Sequence, residues 1–305
     1  MTILADMMWE SLSKGLAEGA TKAIARAISL VENEVAGYDA FLAGLQGQQQ
    51  PVIGITGPPG AGKSTLTDAL IGLAVRAGKK VAVICVDPSS PFHLGALLGD
   101  RIRLSQWYLD DRVFIRSLAS RGALGGLHPK IMEITDLLKA APFDLIIVET
   151  VGVGQSEVDI AGLADVTVVV LVPEAGDEIQ TMKAGLMEVA DIFVVNKSDR
   201  PGADLFAKNL RQLLAPAFSM GHASIPVIAT VAHTMKGVEA LYTAIEKAAA
   251  GNQIRDRKTW LLTEKAWQLI QKKRMADIDK TQLAAALAVQ SEEPSFNLYK
   301  FIQDL

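Results

Sequence analysis

Residues 52–65 read VIGITGPPGAGKST, in which a short apolar run leads into a glycine-rich turn and then into a helical pattern. The turn follows the pattern GxxxxGK[ST] in the strand, loop and helix context that this pattern requires. Its glycines let successive backbone N–H groups curl around a phosphate, and the N-terminus of the helix adds partial positive charge. The residues that this pattern predicts to bind the phosphates of a nucleotide are Gly57, Pro58, Pro59, Gly60, Ala61, Gly62, Lys63, Ser64 and Thr65.

Polar groups in and near this loop have predicted chemical roles. Lys63 is expected to bridge the β- and γ-phosphate oxygens, and Ser64 is expected to offer its hydroxyl to Mg²⁺. Further along, the segment 144–149 is an apolar run that ends in Glu149, and Gly152 follows it. A carboxylate at this strand end can hold a Mg²⁺-bound water, and a glycine leaves its backbone N–H free to meet the γ-phosphate. We therefore expect Glu149 in the metal shell and Gly152 beside the γ-phosphate.

Further charged residues extend this predicted site. Asp87 ends the apolar run 80–86, at the same kind of strand end as Glu149. The loop 99–103 could fold over the nucleotide as a switch, or it could be an ordinary solvated charged loop. The predicted metal-site residues are Ser64, Asp87, Asp100 and Glu149. The predicted catalytic residues are Lys63, Asp100, Arg103, Glu149 and Gly152.

A second motif, NKSD at 196–199, follows the apolar run 191–195. A carboxylate can accept hydrogen bonds from both N1–H and the exocyclic amine of guanine, whereas adenine has no such pair of donors. Asp199 is therefore predicted to select guanine, while Asn196 braces the loops and Lys197 lies along the base. The residues from which a backbone N–H is expected to reach the guanine O6 are Val231, Ala232 and His233. The two motifs together predict a GTPase.

The order of β-rich and helical segments around these motifs predicts the fold class. Short β-rich runs alternate with helical stretches, and most of the runs lack polar alternation, which is typical of parallel strands covered on both faces. The runs lie at 52–56, 80–86, 112–116, 145–148, 166–172, 191–195 and 227–229. We predict an α/β P-loop GTPase domain with a mostly parallel central sheet flanked by helices, plus N-terminal and C-terminal helical extensions.

The flanking segments set the predicted domain boundaries. Apolar residues recur at helical spacing from Ile3 to Leu45, until GQQQP at 47–51 breaks the pattern. A helical pattern returns after Gly251. We predict an N-terminal helical extension over 1–50, a GTPase domain over 51–251 and a C-terminal helical extension over 252–305, which is the candidate for dimerisation.

Composition excludes several classes of function. The chain has 305 residues, 50% of them hydrophobic, and a net charge of −4, with Lys and Arg scattered, so nothing favours nucleic acid as a partner. The single cysteine, Cys85, lies in an apolar run and is expected to be buried and inert. Residues 1–9 fit neither a secretory signal nor a transit peptide, and the longest apolar run, 166–172, is too short to span a bilayer. We expect a soluble cytoplasmic protein.

Several motifs together carry a resemblance to a known family. They are GPPGAGKST at 57–65, VDPSSP at 86–91, LGD at 98–100, SRGALGG at 120–126, ETVGVGQSE at 149–157 and AGDEIQ at 175–180. The chain resembles the MeaB/MMAA family, also labelled ArgK or LAO/AO transport kinases, and ARAISLVE at 25–32 resembles the N-terminal helix of that family. It departs from the family pattern at 93–96 and 101–103.

The resemblance implies a homodimeric GTPase chaperone that binds GTP or GDP with Mg²⁺. It implies service to an adenosylcobalamin-dependent acyl-CoA mutase, typically methylmalonyl-CoA mutase, by gating cofactor loading and protecting the radical enzyme. In that family the positions that match Lys63, Ser64, Asp87, Asp100 and Glu149 form the phosphate and Mg²⁺ site. The position of Arg103 belongs to a mobile switch, and the segment 172–183 is a further switch that faces the partner. No cobalamin site is expected in this chain itself.

Three alternatives stay open on the residues alone. A metal-insertion maturation GTPase shares this loop class but needs soft or imidazole ligands, and the histidines at 93, 128, 222 and 233 show no ligand spacing. A transport-associated kinase would transfer the phosphoryl group to another protein. A nucleotide-stabilised scaffold would hardly turn over, because no residue is a sure water-positioning group. The candidates for that role are Gln155, Arg103 and Arg121.

Overall fold

The computed structural model describes residues 3–47, 49–87, 104–120, 127–152, 160–174, 190–218, 225–251, 254–293 and 296–303. Several predicted functional residues lie outside these ranges. They are Asp100, Arg103, Arg121, Gln155 and the part of the partner-facing segment from residue 175 onward.

A parallel sheet forms the centre of the described structure. Its strand order is β3-β2-β4-β1-β5-β6-β7, and each neighbouring pair runs parallel. The strands are β1 Val52–Thr56, β2 Val81–Asp87, β3 Val113–Ala119, β4 Leu145–Glu149, β5 Val166–Leu171, β6 Ile192–Val195 and β7 Val227–Ala229. Strands β1, β2, β4, β5 and β6 are buried along their whole length, as the lack of polar alternation predicts.

Helices connect and cover these strands. In the described residues they are α1 Ile3–Ala17, α2 Thr21–Glu32, α3 Tyr38–Ala43, α4 Lys63–Arg76, α5 Ile131–Lys139, α6 Ala203–Phe218, α7 Val238–Ala249, α8 Ile254–Arg274, α9 Lys280–Gln290 and α10 Leu298–Gln303. Short 3₁₀ turns lie at Ser105–Trp107 and Ala232–Thr234. The predicted α/β fold with a parallel central sheet is confirmed.

The two faces of the sheet are covered by different helices. On one face, alternate residues of β1, β2 and β4 pack against α1, α2, α3 and α5 in one apolar cluster. The opposite face packs against α4 and α7, and Cys85 is buried in that cluster. Side chains of β5 and β6 on the first face pack against α6. Because helices cover both faces, a ligand is expected to bind beyond the carboxyl ends of the parallel strands.

Backbone contacts divide the chain into two compact units, 1–252 and 253–305. The N-terminal helices belong to the first unit, because Leu16 of α1 and Ile28 of α2 are almost fully buried in its core. The second unit contains α8, α9 and α10. Among the helices that the structure describes, none combines the length and apolar character needed to cross a bilayer.

Candidate nucleotide-binding site

The phosphate loop lies between the end of β1 at Thr56 and the start of α4 at Lys63. Gly62 precedes the helix with a φ of 88°, in the left-handed region. A Cβ at this glycine would stand 2.4 Å from Asn196 Nδ2, so a larger residue would push the loop away from the base-site motif. The predicted strand, loop and helix context of the motif is therefore present.

The ammonium of Lys63 is buried within this loop. It donates to the carbonyl oxygens of Gly57 at 2.9 Å and Pro58 at 3.1 Å, and to that of Val151 at 3.4 Å. The last of these carbonyls immediately precedes Gly152. The positive charge is therefore held between the phosphate loop and the segment that follows β4, where a phosphate can exchange for the carbonyl oxygens.

Gly152 makes the closest approach to the phosphate loop from the other side. Its φ is 85°, and a Cβ there would lie 2.3 Å from the carbonyl oxygen of Gly57 and 2.4 Å from Lys63 Nζ. Both the backbone conformation and the contact therefore require glycine. This placement agrees with the predicted position of Gly152 beside the γ-phosphate.

The predicted metal residues Ser64 and Glu149 meet directly. Ser64 Oγ donates to Glu149 Oε1 at 2.7 Å, and Thr67 Oγ1 donates to Glu149 Oε2 at 2.9 Å. Asp87 lies on the same face of the sheet, because its neighbour two residues back, Cys85, pairs in register with Glu149. A hydroxyl and two carboxylates are the oxygen ligands that fit Mg²⁺.

The described part of this metal site is incomplete, because the fourth predicted residue, Asp100, lies outside the described residues. Within those residues, no group of three His, Cys, Asp or Glu side chains could hold a metal ion. Sequence reasoning missed Thr67. The available signal was its position three residues after Ser64 on the same predicted helix.

Asn196 connects the base-site motif to the other loops. Its amide Nδ2 donates to the carbonyl oxygen of Ala61 at 2.9 Å, and its Oδ1 accepts from Thr230 Oγ1 at 3.1 Å and from the backbone N–H of Ala232 at 3.2 Å. The side chain is buried. It therefore braces the phosphate loop and the loop after β7, as predicted.

The other base-site residues lie on the accessible side. Lys197 donates to the carbonyl oxygen of Gly60 at 2.7 Å and has a φ of 54°, while Asp199 is exposed at the end of the motif. In the third loop, the backbone N–H of Val231 binds the carbonyl oxygen of Lys236, and that of Ala232 binds Asn196. Of the three predicted donors to the guanine O6, His233 is the exposed one.

An ion pair joins the base-site motif to the end of β5. Arg200, next to Asp199, donates to the carboxylate of Glu174, which follows β5. This hydrogen bond holds the pKa of the Glu174 carboxyl below its usual value, and the charges of Arg200 and Lys197 act in the same direction. Glu174 is the last described residue before the predicted partner-facing segment continues.

Three known proteins are similar to this chain over much of its length. A relative in Pyrococcus horikoshii, described as a "putative GTPase", is 44% identical over 291 residues, which cover 93% of this chain and 88% of the relative. The GTPase ArgK of Escherichia coli is 43% identical over 190 residues, covering 60% of this chain and 57% of ArgK. The mitochondrial methylmalonic aciduria type A homolog of Mus musculus is 38% identical over 206 residues, covering 62% of this chain and 50% of that protein.

A solved structure and a family profile extend the comparison to most of the chain. The crystal structure of a LAO/AO transport system kinase superposes with a TM-score of 0.68 at 26% identity, covering 98% of this chain and 96% of that one. The profile described as methylmalonyl Co-A mutase-associated GTPase MeaB matches residues 24–283. The guanine-nucleotide motifs lie inside this match, and the predicted GTPase activity is confirmed by the relatives. The chain therefore belongs to the MeaB family of methylmalonyl-CoA mutase-associated GTPases.

Proposed function

We propose that this GTPase binds GTP with Mg²⁺ and uses its hydrolysis to gate cofactor loading into an adenosylcobalamin-dependent acyl-CoA mutase of the methylmalonyl-CoA mutase type, and to protect that enzyme. The observation that carries the nucleotide half of the proposal is the convergence of Lys63, Ser64 with Glu149, and Asn196 at one edge of the sheet. The partner half is supported by membership of the MeaB family.

The chain's own groups have distinct roles in this proposal. Lys63 exchanges its carbonyl contacts for β- and γ-phosphate oxygens and stabilises the charge that develops on the transferring group. The backbone N–H of Gly152 meets the γ-phosphate from the opposite side. Ser64, Asp87 and Glu149 would hold Mg²⁺, which neutralises phosphate charge when it is bound. The candidates for positioning the attacking water are Gln155, Arg103 and Arg121, which lie outside the described residues.

Guanine selection is tested by calorimetric titration. Because Asp199 presents a carboxylate to two guanine donors, we expect GDP to bind about 10²- to 10³-fold more tightly than ADP. Asp199→Asn should weaken guanine binding and shift preference toward xanthine, because the amide supplies a donor where xanthine has an acceptor. Equal affinities for GDP and ADP would refute the base-site assignment.

The partner is tested by GTP turnover with and without a purified cobalamin-dependent mutase. We expect turnover to rise when the mutase is added, because a partner bound to the proposed switch segment 172–183 would stabilise the arrangement that is competent for hydrolysis. Gln180→Ala and Lys183→Ala should reduce the rise more than the basal rate. Lys208→Ala, on the exposed side of α6, serves as the control. No stimulation by any mutase of this type would remove the chaperone proposal.

We also propose that the protein forms a homodimer through its C-terminal unit. In α8 the side chains of Leu262, Trp267 and Ile270 line one surface groove and are 57%, 59% and 47% exposed. Burying such apolar side chains stabilises an interface. A second copy that covers this face of α8 would remove them from water.

A further inference from the structure

The inner face of α4 carries a second hydroxyl that touches the proposed metal shell. We propose that Thr67 is a positioning residue, whose hydrogen bond fixes the carboxylate of Glu149 in the orientation that Mg²⁺ binding requires. This inference rests on the proposed function, because it needs Glu149 to be part of the Mg²⁺ site.

The geometry assigns one hydroxyl to each oxygen of the carboxylate. Ser64 and Thr67 are three residues apart on α4, so both side chains face β4. Ser64 donates to Oε1 at 2.7 Å, and Thr67 donates to Oε2 at 2.9 Å. Glu149 is only 5% exposed, so protein groups rather than bulk water set the orientation of its carboxylate.

The position of Thr67 is one at which packing alone favours an apolar side chain. Thr67 is fully buried in the first turns of a helix, surrounded by the apolar cluster between α4 and the sheet. Threonine is a weaker helix former than leucine or alanine, and its buried hydroxyl must find a partner. Valine has the same shape without that requirement. The hydroxyl is therefore explained by the carboxylate that it binds.

A second buried threonine provides the contrast. Thr135 in α5 is also buried in a helix, but its hydroxyl donates to the carbonyl oxygen of Ile131 one turn earlier, at 2.7 Å. This local bond is the usual solution for a helical threonine. Thr67 donates instead across 82 residues of sequence to the end of β4. Thr67 and Thr135 thus form a matched pair with and without contact to the site.

The fixed orientation has a chemical consequence. A carboxylate can rotate about its terminal bond, and anchoring Oε2 on Thr67 keeps Oε1 directed at the Ser64 hydroxyl, the other predicted metal-site group. Groups that orient the ligands of a metal in this way typically contribute about 10- to 100-fold to metal affinity or activity. Loss of the Thr67 hydroxyl should therefore weaken the binding of Mg²⁺ and leave the binding of guanine unchanged.

The test compares Thr67→Val, Thr67→Ser and Thr135→Val with the parent protein. Mg²⁺ is titrated by calorimetry into protein that holds a non-hydrolysable GTP analogue, and GDP affinity is measured separately in excess chelator. For Thr67→Val we expect the half-saturating Mg²⁺ concentration to rise about 10- to 100-fold. The GDP affinity measured in excess chelator should stay unchanged. Thr67→Ser should return it toward the parent value, and Thr135→Val should leave it unchanged. If Thr67→Val does not fold, Thr67→Ala tests the same loss.

The outcomes separate this inference from the proposed function. Glu149→Gln is titrated in parallel. If Glu149→Gln weakens Mg²⁺ binding while Thr67→Val matches the parent, the metal site stands and the role of Thr67 is refuted. If Thr67→Ser is as impaired as Thr67→Val, the hydroxyl is not the cause and the role is also refuted. If Glu149→Gln itself matches the parent, the proposed metal site fails.

Discussion

At the scale of single residues, Lys63 is a buried cation in contact with backbone carbonyls. Its ammonium donates to carbonyl oxygens of the phosphate loop and of Val151, which offset the cost of burying the charge. A phosphate that enters the loop offers charged acceptors in place of neutral ones, and such hydrogen bonds are about twice as strong. In the proposed site, a phosphate would therefore make stronger hydrogen bonds to Lys63 than these carbonyls do.

Lys63→Ala should abolish hydrolysis while leaving the fold intact. The change removes the cation that stabilises the transferring phosphoryl group, and losing a comparable preorganised donor lowers turnover by about 10²- to 10³-fold. Phosphate release and the thermal unfolding midpoint are the measurements. Lys79→Ala is the control, because Lys79 pairs with Glu246 at the surface. Turnover at the parent rate would show that Lys63 does not contact the γ-phosphate.

Gly152→Ala should lower turnover more than its effect on stability explains. The added Cβ would meet both Gly57 O and Lys63 Nζ within 2.4 Å. Gly78→Ala is the matched control, since Gly78 has a φ of 78° but a Cβ there meets nothing within 4 Å. Both variants should lose about 1–2 kcal/mol of stability from the left-handed backbone. If both keep parent turnover, the close approach of Gly152 has no role in hydrolysis.

At the scale of single residues, the sequence predicts the side chains that belong to a local motif. The residues 57–65 and 196–199 are identifiable because a loop that wraps a phosphate, or a motif that follows a buried strand, requires particular residues at fixed spacing. The contact between Thr67 and Glu149 was not predicted, because it depends on how α4 packs against β4. No spacing rule links two residues whose contact is created by tertiary packing.

At the scale of elements, the positions of the strands could be predicted from the sequence, but their order in the sheet could not. Each of the seven predicted strand runs is a strand of the structure, because β-rich segments bounded by turns are readable from sequence. The bounds of β1 and β7 match the prediction, and the ends of the other strands differ by at most three residues, as with β3, which ends at Ala119 rather than at residue 116. The order of strands, with β1 between β4 and β5, is set by crossover connections and is not visible in any one segment.

Reversing the Glu174 and Arg200 ion pair should change the release of GDP. Arg200→Glu places two carboxylates together beside the base-site motif, so we expect GDP to dissociate several-fold faster than from the parent protein. Combining it with Glu174→Arg should restore the parent rate, and the difference should shrink at high salt because both side chains are exposed. Stopped-flow release of fluorescent GDP measures it. A double variant as fast as Arg200→Glu would show that the pair itself has no role.

At the scale of the whole molecule, the N-terminal helices pack against the central sheet. In the predicted extension over 1–50, Leu16 of α1 and Ile28 of α2 are buried in the same cluster as one face of the sheet. The helical pattern was readable from sequence, but the surface that receives it was not. In the C-terminal unit, the side chains of Leu262, Trp267 and Ile270 of α8 are exposed.

Trp267→Glu should convert the protein to a monomer if α8 is the dimer contact. A charge in the centre of a buried apolar face carries a large desolvation penalty. Sedimentation velocity of the full chain at several concentrations measures the change. Gln268→Glu introduces the same charge at the exposed position next to Trp267 and should leave the association state unchanged. A parent protein that is monomeric at all concentrations would contradict the homodimer proposal.

Asn196 holds the phosphate loop and the loop after β7 together through Ala61, Thr230 and Ala232. The two loops that we propose to bind the two ends of a nucleotide are therefore connected by one buried side chain. A molecule that spans both loops gains both sets of contacts after losing its translational freedom only once. Guanosine and pyrophosphate added as separate fragments should accordingly bind far more weakly than the sum of their contacts in GDP suggests. The site recognises the covalent link between base and phosphates as well as the two groups themselves.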